Sequence, residues 1–150
     1  MAVNAKVQLG SIVEDYILGD QVGHLLRRAN QRHAAIFFEG LNDQQLTPTQ
    51  FAALAKIGDE GEVSQNRLGR LTAMDPATIL GVVKRLRDRA LIAAKADPTD
   101  ARRSLWRLSG PGRQLLLQAI PRARDISRDT LAPLDRAERE TFLKLLRKLA

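Results

Sequence analysis

From Ser64 to Arg113 the chain reads SQNRLGRLTAMDPATILGVVKRLRDRALIAAKADPTDARRSLWRLSGPGR, and the order of caps, turns and charges in this stretch decides the fold. Ser64 is a helix N-cap and predicts a short helix with Leu68 and Leu71 turned inward. Asp75-Pro76 opens another helix by joining a capping side chain to a proline at the first helical position, where the missing N–H has no intrahelical partner to lose. That helix is expected to run to about Ala90. Ile79, Val83, Leu86 and Ala90 fall on one buried stripe, and Ala77, Gly81, Lys84, Arg85 and Asp88 face outward. Beyond Leu91 the alternation of Ile92, Ala94 and Ala96, the turn chemistry of Asp97-Pro98-Thr99-Asp100 and the returning Leu105-Trp106-Arg107-Leu108 predict a β-hairpin.

The same stretch carries the charge. The chain has 150 residues, with 24 Lys plus Arg against 17 Asp plus Glu and a formal charge of +7. Residues 64–113 hold eleven of the basic and four of the acidic residues, so the flanks are balanced and the whole excess lies here. An excess concentrated in this way points to a polyanionic partner. With 44% hydrophobic residues the chain can bury a core as one domain or two small lobes. It has no cysteine, which excludes disulfides, thiolate metal sites and a thiol nucleophile and fits a reducing compartment. The opening MAVNAKVQLGSIVEDYILGD lacks a signal-peptide pattern and no apolar run of about 18 residues occurs, so no membrane span is expected and the expected location is the cytoplasm. No Ser-His-acid pattern, glycine-rich phosphate loop or H-E-x-x-H spacing supports an enzyme or a cofactor. His24 and His33 are nine residues apart, on opposite faces of a helix, which argues against a metal pair.

Outward from this centre the elements are helical. Apolar Leu18, Val22, Leu25, Leu26, Ala29, Ile36 and Phe37 predict one long amphipathic helix from Asp15 to Glu39, ended by Gly40. Thr47-Pro48 restarts the chain as a helix carrying Phe51, Leu54, Ala55 and Ile57, closed by Gly58 and Gly61. Ser109-Gly110-Pro111-Gly112 caps a long helix with Leu115, Leu116, Ala119, Ile120, Ala123 and Ile126 on its apolar side, which Pro121 should kink or interrupt. A last helix from about Asp135 carries Phe142, Leu145, Leu146 and Leu149. The expected fold is mainly α with a small β-hairpin wing. It comprises a winged helix-turn-helix over 46–109, an N-terminal dimerisation helix and arm over 1–45 and C-terminal dimerisation helices over 110–150. The terminal apolar stripes exceed what so short a chain can cover, so a homodimer is expected.

A winged helix-turn-helix sets its second helix into a major groove of double-stranded DNA. Ala77 and Gly81 let the backbone come close, while Thr78, Lys84 and Arg85 reach base edges or phosphates. Ser64, Asn66 and Arg67 of the preceding helix complete the expected DNA-contacting set. Arg102 or Arg103 at the hairpin tip suits a narrow minor groove, with an Asp100 to Arg102 pair fixing the guanidinium.

Asp97-Pro98-Thr99-Asp100-Ala101-Arg102-Arg103, followed by Leu108-Ser109-Gly110-Pro111-Gly112, resembles the wing signature of the MarR family of bacterial transcriptional regulators. The likeness extends in order over nearly the whole chain, with Ser109 in place of the commoner threonine and an alanine-rich strand from Ile92 to Ala96. It implies an obligate homodimer on a near-palindromic operator, commonly repressing a nearby gene, and it carries DNA contacts to Thr78, Arg85 and Arg102, with Asp100 supporting the wing. Many members respond to small aromatic acids bound between the DNA-binding lobe and the dimer helices. Val22 to His33 also resembles regulators of nicotinate breakdown, so the expected effector is a hydroxylated aromatic acid such as a hydroxynicotinate or hydroxybenzoate. Such an acid needs a cation or histidine for its carboxylate and a slot for its ring, and His24, Arg28, Arg32, Phe51 and Trp106 are the available pieces. His24 also fits a helix-interface histidine, His33 a packing or dimer residue, and Trp106 the hairpin core. A ligand-blind architectural DNA-binding protein is the alternative, separated by comparing specific with random DNA.

Overall fold

The computed structural model describes residues 15–150. They form two compact units, the first ending at Ala35 and the second spanning Ile36–Ala150.

The first unit opens with a 3-10 turn, Leu18–Asp20, rather than with a helix from Asp15. Gly19 and Asp20 are poor helix formers, and Gln21 is extended, which separates this turn from helix α1, Val22–Leu41. Leu18, Val22, Leu25 and Leu26 are exposed. Contrary to expectation, α1 continues through Gly40. A Cβ on Gly40 would lie 2.7 Å from Cγ1 of Ile126, so this glycine serves close helix packing and not termination.

In the second unit, α2 spans Pro48–Glu60 and begins with the Thr47 and Gln50 capping box. Gly61, at φ +74°, closes it. Gly58 stays inside α2, where a Cβ would press on Leu116 at 2.9 Å. Strand β1, Val63–Ser64, was not expected from sequence. Helix α3, Gln65–Leu71, is capped by Ser64. Leu68 is buried as expected, but Leu71, at the very end of this two-turn helix, is 38% exposed. Helix α4, Pro76–Asp88, buries Ile79, Val82, Val83 and Leu86. Ala90 does not extend the stripe: it is exposed at φ +55°, in the left-handed region, where the helix has already unwound. Arg89 then donates to the carbonyls of Gln45 at 2.8 Å and Gln44 at 3.0 Å, in the loop joining α1 to α2.

Strands β2, Ile92–Asp97, and β3, Asp100–Leu108, form the hairpin, and the antiparallel sheet has the order β1-β3-β2. Trp106 pairs with both Val63 and Ala94. The expected inward alternation fails at Ala94 and Ala96, which are exposed along with Ala101 to Ser104, because the outer half of the hairpin has no layer to pack on. Helix α5, Gly110–Thr130, passes through exposed Pro121 without interruption. Helix α6, Arg136–Leu149, starts from an Asp135 and Glu138 capping box and leaves Phe142, Leu145 and Leu149 exposed. The core joins Phe37 and Leu41 of α1 to Leu54 and Ile57 of α2, the α4 stripe, Ile92, Trp106 and Leu116. No described helix is long and apolar enough to cross a membrane.

Candidate nucleic-acid interface

The start of α4 is tied down by one carboxylate. Asp75 accepts from the Thr78 N–H through Oδ1 and from the Thr78 hydroxyl through Oδ2, both at 2.8 Å. These bonds, the backbone one foremost, hold the Asp75 carboxyl below its usual value. The Thr78 hydroxyl proton is therefore committed, and its oxygen keeps only acceptor capacity. Ala77 and Thr78 are exposed and Gly81 is half-exposed, as the sequence implied.

Further along α4 the cations divide. Lys84 pairs with Asp88 at 3.1 Å, and Arg87 approaches the same carboxylate at 3.6 Å. The Lys84 hydrogen bond is the largest cause holding the Asp88 carboxyl low. Arg85 has no ion pair among the described residues, and its Nη1 lies 3.8 Å from where a Cβ on Gly81 would stand. Its guanidinium thus folds back over the glycine toward the start of the helix.

On α3, Ser64 accepts from the Arg67 N–H at 3.4 Å. The Arg67 guanidinium is engaged by Glu60 through Nε at 3.0 Å and Nη2 at 2.8 Å, and Asn66 is exposed. The pairing of β1 with β3 draws the wing toward α3, so that Ser64, Gln65, Asn66, Arg70, Arg103 and Ser104 line one groove of about 380 Å³. Arg70 is the residue missed from sequence. Its position four after Asn66 on the same helix face was the available signal.

At the wing, Asp97 accepts from the Thr99 hydroxyl at 2.7 Å and the Thr99 N–H at 2.8 Å, which lowers the Asp97 pKa and closes the turn. The expected Asp100 to Arg102 side-chain pair does not form. Asp100 accepts from the backbone N–H of Arg102 at 3.0 Å and pairs with the Arg103 guanidinium at 3.4 Å. The bulge between Ala96 and Asp97 shifts the register at the tip, and Asp100 spends one oxygen on the backbone and turns the other to Arg103. Arg102 is left as an exposed cation with no ion pair among the described residues.

The residues singled out for an acid ligand divide between the two units. In the first, the His24 ring Nδ1 lies 3.2 Å from Arg27 Nη2, and Arg28 and Arg32 are exposed. In the second, Phe51 meets Phe37 edge to face with ring centroids 6.1 Å apart, and Trp106 is only 9% exposed in the sheet. A cleft of about 390 Å³ beside Phe51 is lined by Ile120, Ala123, Arg124 and Ser127, and Arg124 was not anticipated. Among the described residues no cluster of metal-ligating side chains occurs.

Residues 44–103, from the loop before α2 through the wing, match the MarR family. The transcriptional repressor NicR of Pseudomonas putida is 46% identical over 134 residues, covering 89% of this chain and 85% of that protein. A solved structure from Pseudomonas aeruginosa has 53% identity and a TM-score of 0.87, over 89% of this chain and all of that one. BpsR of Bordetella bronchiseptica, solved to explain regulation of its DNA binding by 6-hydroxynicotinic acid, has 43% identity and a TM-score of 0.86, over 89% of this chain and 96% of its own. The chain is a DNA-binding transcriptional regulator, not an enzyme, and it belongs to the MarR family.

Proposed function

We propose that this protein is a homodimeric repressor that holds a near-palindromic operator and releases it on binding a small hydroxylated aromatic acid, such as a hydroxynicotinate or hydroxybenzoate. The likeness to BpsR, whose DNA binding is regulated by 6-hydroxynicotinic acid, carries this reading. The exposed apolar residues of α1 and α6 supply the dimer surface. Two recognition helices about 34 Å apart then enter successive major grooves on one side of the duplex. Ala77, Thr78, Gly81, Lys84 and Arg85 face the groove, Ser64, Asn66, Arg67 and Arg70 the backbone, and Arg102 and Arg103 the minor groove, with Asp100 as wing support.

Arg28 and Arg32 offer cationic partners for a carboxylate, and His24 offers the ring nitrogen that does not face Arg27. In the second unit the cleft beside Phe51 offers a ring-sized apolar wall with Arg124 and Ser127 as polar anchors.

Fluorescence anisotropy on DNA from upstream of the protein's own gene and on a shuffled duplex, with and without 6-hydroxynicotinate and 4-hydroxybenzoate, tests the reading. Preference for the upstream DNA that one acid abolishes is the expected result. Equal binding to both duplexes, unmoved by either acid, would overturn it in favour of an architectural role.

A further inference from the structure

The recognition helix carries one large apolar side chain that the core does not use. Ile79, Val82, Val83 and Leu86 of α4 are buried, whereas Leu80 is 58% exposed. Leu80 stands three residues after Ala77 and four before Lys84, so all three lie on one face of the helix. Lys84 is drawn toward the C-terminal turn by its pair with Asp88, leaving the surface around Leu80 apolar. The hydroxyl proton of Thr78 is donated to Asp75. The first two turns of α4 therefore present exposed Ala77, Thr78 and Leu80, and the nearest free side-chain donor is the Arg85 guanidinium over Gly81.

Of the four bases, guanine offers only acceptors in the major groove, adenine and cytosine each offer an amino group, and thymine alone offers a methyl group. The exposed isobutyl group of Leu80 gains nothing from the guanine edge and most from the thymine methyl. We infer that Leu80 reads the C5-methyl group of a thymine in each half-site of the operator. This rests on the reading of α4 as the recognition helix.

The test uses DNA that the full-length protein selects from a random duplex pool, with each thymine then replaced singly by deoxyuridine, which keeps pairing and removes only the methyl group. One thymine per half-site is expected to be sensitive, its replacement weakening binding about fourfold, the worth of one buried methyl group. Leu80→Ala should bind the unmodified DNA less tightly yet be indifferent to uracil at that same position. The variant removes an exposed side chain, and unchanged circular dichroism and unchanged affinity for random DNA would verify its fold. Selection of a clear sequence with no uracil-sensitive position, or the same loss in Leu80→Ala as in the parent, would overturn the inference while leaving the regulator reading intact. Failure to select any preferred sequence would overturn both.

Discussion

Gly112 is the position where a single added carbon should do the most harm. A Cβ there would stand 1.8 Å from the carbonyl oxygen of Leu91 and 2.8 Å from its carbonyl carbon, both main-chain atoms that no rotamer change can move aside. Clearing the oxygen requires the start of α5 and the start of β2 to part by more than about 1 Å. That movement breaks the bond from Ser109 N–H to Leu91 O, now 3.1 Å, and strains the Ser109 cap on Gly112 N–H, now 3.0 Å. Overpacking against a rigid wall costs about 1–3 kcal/mol and a lost buried hydrogen bond about 1 kcal/mol more, so Gly112→Ala should destabilise by about 3 kcal/mol. For a chain of this size the melting point should fall by about 6–12 °C. Gly110, two residues earlier, has nothing within 4 Å of its own Cβ position. Gly110→Ala should leave the melting point unchanged or slightly raised. Thermal unfolding of the two variants by circular dichroism at one protein concentration makes the comparison. Equal melting points would refute the argument that Gly112 is required for main-chain approach.

Arg85→Ala should reduce discrimination between operator and random DNA by about 1–3 kcal/mol, whereas equal losses on both would show that Arg85 contacts phosphate only. Arg102→Ala should weaken binding to all DNA and lower the slope of log affinity against log salt by about one, measured as a salt titration of anisotropy. Asp75 is held below its usual pKa in the folded protein, so its contribution is complete above the ordinary carboxylate range and is lost as pH falls through the lowered value. Asp75→Ala should therefore be less stable at pH 7 but lose less further stability on acidification below about pH 4, and parallel acid-unfolding curves for variant and parent would contradict that.

The caps at Thr47, Ser64, Asp75 and Ser109 were all legible, because a cap is a bond between near neighbours in sequence. So was the hairpin with its basic tip, announced by turn residues and a change of period. β1 was not: a two-residue strand has no alternation to read and exists only because β3 offers it an edge. The alternation through Ala94 and Ala96 suggested a buried side, but burial depends on a second layer that the outer hairpin lacks. Glycines were misread for the same reason. Gly40 and Gly58 sit inside helices because Ile126 and Leu116 of α5 press against them, and sequence periodicity carries no information about what crosses a helix. At the candidate interface the residue types were visible, but the partners were not. Arg67 is claimed by Glu60 from seven residues away, and Asp100 takes Arg103 because the bulge alters the tip.

The two bonds from Arg89 to Gln44 and Gln45 have a mechanical meaning. A planar guanidinium with each arm on a different carbonyl resists twisting as well as stretching. It acts as a strut between the last turn of α4 and the loop leaving α1, and Gln45, at φ +51°, is held in a conformation that presents its carbonyl to that strut. A displacement of the loop is thereby delivered to α4 as a rotation of the whole helix. Lysine at position 89 would keep the charge yet grip with a single point, and loop and helix would then swing separately.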